Sequence, residues 1–306
     1  MQFIERGPCP LCNCGSTSMH IDFEIPVVKC DKCGFLFSSK VFDEATSASY
    51  YGDQFGDHRQ MQGQIVNAQI NAAALAGLIN MRDTHNFLDV GAGYGFLLAE
   101  LRDKYRIDGT GVELSNIEAV YAKDELKVDM RNCALSEAGL PRNHFDVVSC
   151  FEVIEHISQP RDFIRELAGY VKPGGYLVVV TDNFDSRVVR ELGAGFPKWI
   201  PHEHISHFSP GTLTQLLRSE VDLSICKTKS YTPWEFLARS TYYRLRGITK
   251  KPDQVFRLEQ ELRAEKSGHY KLFTLRRFLN KLWLRLTVAE KMDGAMMFFV
   301  ARKRVS

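Results

Sequence analysis

Residues 87–98 read Phe-Leu-Asp-Val-Gly-Ala-Gly-Tyr-Gly-Phe-Leu-Leu. The apolar residues before the glycines predict a buried strand, and those after them predict a helix. A chain uses glycine where its backbone turns sharply or must pass close to a ligand. This stretch therefore predicts a strand that ends near Asp89, a turn built on Gly91 and Gly93, and a helix that leaves the turn.

Three further segments extend this pattern into a larger sheet. Residues 110–115 predict a second strand that ends on an acid, Glu113, about twenty residues after the turn. Residues 145–152 predict another strand, and residues 171–181 predict a Lys-Pro-Gly-Gly turn followed by a further one. A carboxylate at the position of Glu113 is where the hydroxyls of a ribose are bound in nucleotide sites.

Taken together, these segments resemble the class I S-adenosylmethionine (SAM)-dependent methyltransferases across roughly residues 60–306. The resemblance implies an α/β fold: a Rossmann-like, seven-stranded sheet with SAM across the carboxyl ends of its strands. A dehydrogenase is the alternative, but its third glycine would fall at Phe96 rather than at Gly95. The residues that the resemblance assigns to SAM are Asp89, Gly91, Gly93, Glu113, Ala134 and Phe151.

Two Cys-x-x-Cys pairs near the N-terminus predict a structural zinc site. The four cysteines are Cys9, Cys12, Cys30 and Cys33. Four thiolates can close a tetrahedron around zinc and leave no open position for chemistry. The expected organisation is a zinc ribbon at residues 1–40, a linker or lid at 41–60 that includes Tyr50 and Tyr51, and a methyltransferase domain at 61–306.

Two polar segments are candidates for the acceptor site. The first is Glu152-Val-Ile-Glu155-His156, after the strand at residues 145–152, and the second is Pro201-His-Glu-His-Ile-Ser-His207. Catalytic candidates are Glu155, His156, His204 and His207, because imidazoles and carboxylates transfer protons near neutral pH. Similar motifs carry a metal in small-RNA 2′-O-methyltransferases and in relatives of the ubiquinone-pathway O-methyltransferases. A second metal site, for magnesium or another divalent ion, is therefore a further hypothesis, with ligands Glu152, Glu155, His156 and His204.

A basic helical insert is predicted at residues 232–292, before the last strand. Between Arg239 and Lys291 there are 14 Lys or Arg against 5 Asp or Glu, and five leucines recur at spacings of three and four. Such an amphipathic helix can dock on the domain, lie on a membrane surface, or bind RNA or a phosphorylated acceptor. The leucines are Leu272, Leu275, Leu279, Leu282 and Leu286.

The composition, with 44% hydrophobic and 25% charged residues and a formal net charge of +2, is that of an ordinary globular protein. The sequence shows neither a signal peptide nor a membrane-spanning run, so we expect a cytoplasmic protein, with the basic helix as its membrane contact if it has one. The expected activity is O-methylation of a small metabolite or of a sugar or glycan hydroxyl. The alternatives are RNA 2′-O-methylation, nucleotide-sugar C-methylation and a non-catalytic SAM-binding adaptor, and DNA is not an expected partner.

Overall fold

The computed structural model describes residues 2–54, 58–220, 222–248, 275, 278–279, 282–284 and 288–305. Its central sheet contains seven strands, and four of them, β6, β7, β9 and β10, lie in the four segments for which the sequence pattern predicts strands. Six strands run in the same direction, and β13 runs antiparallel to both of its neighbours. The strands are β6 (Phe87–Val90), β7 (Gly109–Val112), β8 (Asp129–Arg131), β9 (Phe145–Phe151), β10 (Val171–Asp182), β12 (Leu223–Tyr231) and β13 (Met296–Lys303).

The strand order across this sheet is β12-β13-β10-β9-β6-β7-β8. The order reverses between β6 and β9, which is where ligands bind in open α/β sheets. The carboxyl ends of β9, β6, β7 and β8 therefore lie side by side at one edge. This arrangement confirms the predicted Rossmann-like, seven-stranded class.

Helices cover both faces of the sheet and bury its apolar side chains. Two core clusters result, and one of them joins buried residues from the range 68–78 to Met296, Phe298 and Val300 of β13. The helices are α1 (Glu44–Ser49), α2 (His58–Leu78), α3 (Phe96–Tyr105), α4 (Asn116–Asp124), α5 (Pro160–Tyr170), α6 (Arg187–Leu192), α7 (Pro210–Arg218) and α8 (Trp234–Arg246). Within the described residues, no helix is both long and apolar enough to span a membrane.

The N-terminal region forms two small sheets. Strand β1 (Phe3–Glu5) pairs with β5 (Lys40–Phe42), and β2 (Thr17–Ile21), β3 (Val27–Cys30) and β4 (Leu36–Ser38) form an antiparallel sheet. This second sheet gains a fourth strand from far along the chain, β11 (Ser206–His207), which pairs with β4. The predicted ribbon is thus built into the rest of the protein by main-chain hydrogen bonds.

The segment that the sequence pattern assigned to a linker or lid is largely regular. Residues 41–54 contain the end of β5, helix α1 and a π-helical turn at Tyr50–Gln54. The Asp43 side chain caps α1 by accepting a hydrogen bond from the Thr46 N–H at 2.8 Å. Tyr50 is consequently held in place, with 7% of its surface exposed.

Most of the predicted basic insert lies outside the described residues, including Leu272 and Leu286. Helix α8 confirms that the insert begins as a helix. Leu275, Leu279 and Leu282 are exposed, whereas the neighbouring Leu284 is buried. The described part of the leucine stripe therefore does not dock on the domain as an ordinary packing face.

Candidate functional site

The glycine-rich turn lies between β6 and α3, as predicted. Gly91, Gly93 and Gly95 all have positive φ, at 71°, 55° and 77°. The N–H groups of Gly91 and Ala92 both donate to the carbonyl oxygen of Val112, which fixes the turn against β7. A Cβ on Gly91 would stand 2.4 Å from Val153 Cγ2, so the turn has no room for a side chain there.

Glu113 reaches this turn from the end of β7. Its Oε2 accepts a hydrogen bond from the Gly93 N–H at 2.9 Å, and its Oε1 accepts one from the Ser115 N–H at 2.8 Å. Burial raises the pKa of Glu113, while these N–H donors oppose the rise. The carboxylate therefore stands beside the glycine turn, as the resemblance implies for a residue that binds ribose.

The other residues assigned to SAM also lie along this edge. Asp89 is buried in β6, where its Oδ1 accepts a hydrogen bond from Ser149 Oγ at 2.6 Å. Burial raises the pKa of Asp89 to about 7. Phe151 ends β9 and Ala134 follows β8, both half-buried. The structure thus brings all six predicted residues to four adjacent strands.

Sequence reasoning missed one residue of this site, Gln64 on α2. Its Oε1 accepts a hydrogen bond from the Tyr94 N–H at 2.9 Å, and its Nε2 donates to Glu118 Oε1 at 2.7 Å. No local pattern marks this residue, because it lies thirty residues before the turn that it contacts. A glycine-rich turn flanked by a carboxylate fits the polar methionine and ribose parts of SAM.

A second group of residues meets at the end of β9. One ligand atom from each of Glu155, His156 and His204 can be chosen so that all three lie within 4.8 Å of one another. Glu155 and His156 belong to a short 3₁₀ turn at Ile154–His156, and His204 arrives from the segment before β11. We call these three residues the Glu-His-His cluster.

Hydrogen bonds and ring contacts orient the cluster. Thr181 Oγ1 donates to Glu155 Oε2 at 2.8 Å, and Tyr51 Oη lies 3.2 Å from His156 Nδ1. The rings of His156 and His204 meet edge to face with centroids 4.9 Å apart. The predicted lid tyrosine therefore contacts a candidate ligand.

The fourth predicted ligand, Glu152, pairs with Lys198 and does not join the cluster. Its φ is +54°, and its Oε2 lies 3.4 Å from Lys198 Nζ. The same ammonium group lies 3.7 Å from Asp182 Oδ2, which in turn lies 3.6 Å from His204 Nδ1. The structure thus brings together three of the four predicted ligands and adds Asp182 and Lys198, which the sequence analysis did not single out.

The electrostatics of the cluster favour a cation. Burial raises the pKa of Glu155 to about 8, and the charges of Asp182 and Glu152 add to the effect. Burial also raises the pKa of Asp182 to about 7, with Lys198 opposing. Burial lowers the pKa of His156 to about 4 and that of His204 well below its usual value, so both imidazoles are neutral at pH 7. Neutral imidazoles and an ionisable carboxylate form a donor set that suits a divalent ion.

His207 does not join this cluster. Its ring packs against Phe184 and Trp199, with centroids 4.5 Å and 4.9 Å away, and 1% of its surface is exposed. Within the described residues neither ring nitrogen has a hydrogen-bond partner. The structure therefore places this predicted catalytic residue in an aromatic core.

The four ribbon cysteines also come together. Cys9 Sγ and Cys33 Sγ are 3.5 Å apart, as are Cys12 Sγ and Cys30 Sγ, and all four cysteines are free thiols. Sulfur atoms at this spacing fit the corners of one tetrahedral zinc site. Cys14 instead lies with its Sγ 3.9 Å from the Ser16 carbonyl oxygen.

A cleft of about 910 Å³ is lined by residues from the ranges 20–36 and 184–215. Its lining includes His207, Trp199 and Lys29, but not Glu113 or any residue of the Glu-His-His cluster. The cleft therefore lies apart from the glycine turn and from the Glu-His-His cluster.

Comparisons with known proteins find relatives among methyltransferases. Ubiquinone biosynthesis O-methyltransferases from a Bradyrhizobium strain and from Rickettsia felis are 33% and 30% identical, over 48% and 46% of this chain. The chain spans about 60% of the length of these relatives.

Two solved structures share the fold at 18% identity and a TM-score of 0.50. One is a SAM-dependent methyltransferase from Thermotoga maritima, described as a possible histamine N-methyltransferase, which matches over 78% of this chain and 89% of its own. The other is the [4+2]-cyclase SpnF, which matches over 78% and 81%. A methyltransferase-domain family matches residues 58–225, more than half of the chain. The protein therefore belongs to the methyltransferase-domain family and has the class I SAM-dependent methyltransferase fold.

Proposed function

We propose that this protein transfers a methyl group from SAM to a hydroxyl of a small-molecule acceptor, with a divalent ion bound by Glu155, His156 and His204. The observation that carries the proposal is the position of the Glu-His-His cluster beside the glycine turn. Val153, two residues before Glu155, packs against Gly91. The proposed SAM site at the glycine turn and the proposed metal site at the Glu-His-His cluster therefore lie next to each other.

Each residue of the cluster has a definable role in this proposal. A divalent ion bound there would hold the acceptor and lower the pKa of its hydroxyl. Asp182 and Thr181 orient His204 and Glu155, as partners of metal ligands commonly do. Lys198 pairs with both Glu152 and Asp182, and its single positive charge offsets only part of the negative charge beside Glu155.

Labelled methyl transfer from SAM to a panel of catechols, vicinal diols and sugars would test this proposal. The protein would carry one zinc per chain, and Mg²⁺ or Mn²⁺ would be added or withheld. We expect activity only with the ion, and a fall of about a hundredfold in Glu155→Gln or His204→Asn. Glu152→Gln should fall less, because Glu152 faces Lys198.

His144→Gln is the matched control, because His144 is an exposed histidine away from the cluster. Full activity without a divalent ion, retained in Glu155→Gln, would contradict the metal role. Label in RNA ending in a 3′-terminal diol would favour the RNA alternative, and label on a carbon of a nucleotide sugar would favour C-methylation. SAM binding without methyl transfer to any acceptor would favour the remaining alternative, a non-catalytic SAM-binding adaptor.

We further propose that the basic insert contacts an anionic membrane surface. The supporting observation is its exposed apolar side chains, Leu275, Phe278, Leu279 and Leu282, in a segment rich in Lys and Arg. We expect co-sedimentation with phosphatidylserine vesicles but not with phosphatidylcholine vesicles, weakened by Phe278→Ser. Ile4→Ser, at an exposed position outside the insert, is the control, and equal binding to both vesicle types would refute the contact.

A further inference from the structure

The side chain of Arg6 joins the N-terminal region to both halves of the Glu-His-His cluster. Its Nη2 donates to the carbonyl oxygens of Ile157 at 3.1 Å and Ser158 at 2.8 Å, and to Ser206 Oγ at 2.7 Å. Its Nη1 donates to the carbonyl oxygen of Ile205. One guanidinium group therefore binds two segments that are about fifty residues apart in the sequence.

These two segments carry the cluster. Ile157 directly follows His156, and Ile205 directly follows His204. Ser206 Oγ also donates to the Ile157 carbonyl oxygen at 2.9 Å, so the segments meet each other as well as the arginine. We therefore expect a shift of one segment relative to the other to change the separation of the two histidine rings.

The positive charge of Arg6 lies among main-chain carbonyl groups and an aromatic ring. The side chain is half-buried, and none of the ion pairs found within the described residues involves it. Its guanidinium stands 5.6 Å from the centre of the Phe37 ring. Burying a cation is costly unless its donors are satisfied, and here three main-chain carbonyl groups and Ser206 Oγ accept hydrogen bonds from Nη1 and Nη2, whereas Nε has no partner among the described residues. Burial lowers the pKa of Arg6 to about 9, which still leaves it charged at pH 7.

The ribbon sheet supplies a second connection at the same place. Strand β4 pairs with β11 through Phe37↔Ser206 and Leu36↔His207, and the Ser38 N–H donates to the Ile205 carbonyl oxygen at 3.0 Å. The Ile205 carbonyl group thus accepts hydrogen bonds from Arg6 and from β4. Both donors belong to the N-terminal forty residues.

We propose that Arg6 is a positioning residue, which sets the distance between His156 and His204 by binding the carbonyl groups that follow them. The N-terminal region then completes the acceptor site of the methyltransferase domain instead of serving as a separate module. This inference rests on the proposed metal role of the Glu-His-His cluster. A lysine could replace the charge but not the planar fork of donors that reaches both segments.

The test compares three variants of the full-length protein: Arg6→Gln, Arg6→Lys and the control Arg161→Gln. Arg161 also bridges the two regions, through the Leu11 carbonyl oxygen at 2.5 Å, but it does not contact Ile157 or Ile205. Mn²⁺ affinity would be measured by electron paramagnetic resonance. The contact between the His156 and His204 rings would be measured as a nuclear Overhauser effect in histidine-labelled protein.

We expect Arg6→Gln to lose about tenfold or more in Mn²⁺ affinity and to lose the ring contact, while its zinc content and SAM affinity stay unchanged. Arg6→Lys should retain part of the Mn²⁺ affinity and part of the ring contact. Arg161→Gln should equal the wild type in both measurements. Wild-type Mn²⁺ affinity and an intact ring contact in folded Arg6→Gln would overturn the inference. If the wild type binds no Mn²⁺ but Arg6→Gln still separates the rings, the positioning role stands and the metal proposal fails.

Discussion

At the scale of single residues, the absence of a side chain decides the geometry at Gly91. Its φ of +71° lies in the left-handed region, and a Cβ would also collide with Val153. The two effects can be separated, because Gly139 has a φ of +64° and open space around it. Val153 lies two residues before Glu155. We therefore expect a side chain at position 91 to displace Val153 and, with it, the Glu-His-His cluster.

Gly91→Ala should therefore lower SAM affinity by about tenfold or more, equivalent to at least ~1.4 kcal/mol of binding free energy. Gly139→Ala should cost only the backbone strain, about 1–2 kcal/mol of folding stability, with SAM affinity unchanged. Calorimetric titration with SAM and urea unfolding would measure the two quantities. Equal SAM affinity in both variants would show that the turn tolerates a methyl group.

The raised pKa of Asp89 predicts that the free energy of unfolding depends on pH. Burial raises its pKa to about 7 in the folded state, against about 3.8 in the unfolded chain. The folded protein therefore holds a proton that the unfolded chain releases. This contribution to stability is complete below pH 3.8 and is lost as the pH rises to 7. The loss is of the order of 4 kcal/mol.

Asp89→Asn mimics the protonated side chain and should be more stable than the wild type at pH 8, with a smaller difference at pH 5. Asp146 gives the contrasting control, since hydrogen bonds and Lys172 outweigh its burial and lower its pKa. Asp146→Asn should lose similar stability at pH 5 and pH 8, because the native carboxylate is ionised at both. Urea unfolding at the two pH values would show whether the Asp89→Asn difference grows with pH.

The residues that the sequence predicted well share one property: their partners lie nearby in the chain or on a regular neighbouring strand. The glycine turn and Glu113 belong to one strand-turn-helix-strand pattern, so their spacing indicates their proximity. Tertiary contacts bring three further residues to the site, Gln64, Asp182 and Lys198. No periodic pattern in the neighbouring sequence predicts these contacts. Glu152 fits the predicted motif by its spacing, but its positive φ turns it toward Lys198.

At the scale of secondary-structure elements, β11 shows how a strand can depend on a distant partner. It is two residues long, too short to carry an alternating pattern, and its pairing with β4 defines it. Cys30 ends β3, and Cys33 lies in the turn before β4. Two of the predicted zinc ligands therefore lie at the turn of the β3–β4 hairpin, to which β11 pairs through β4. Helix α1, also missed, carries a readable signal in its cap Asp43.

Loss of zinc should therefore loosen the acceptor segment. In Cys33→Ser we expect faster amide hydrogen exchange at residues 204–208, together with faster exchange in β3 and β4, while β6 and β7 stay protected. Cys226→Ser, at an exposed cysteine outside the ribbon, is the matched control. Normal protection of residues 204–208 in a zinc-free variant would show that β11 forms without the ribbon.

At the scale of the whole molecule, the ribbon and the methyltransferase domain share one hydrophobic core. The same buried cluster contains Cys9, Leu11 and Phe35 from the N-terminus and Phe208 and Leu213 from beyond β11. The rings of Phe35 and Phe208 lie 5.0 Å apart. A module of about forty residues seldom folds by its own core, and here part of its core comes from the rest of the chain.

We therefore expect zinc removal to lower the melting temperature of the entire protein in one transition, rather than to melt a separate module first. Calorimetry of the zinc-loaded protein and of Cys9→Ser would measure this, with Cys226→Ser as the control. A peptide of residues 1–42 with zinc should lack the ordered β2–β4 sheet, because it lacks β11 and Phe208. Two separate transitions in the full chain, or a well-ordered sheet in the peptide, would show that the ribbon is an independent domain. One shared transition would mean that the stability of the Glu-His-His cluster depends on zinc bound at the ribbon cysteines.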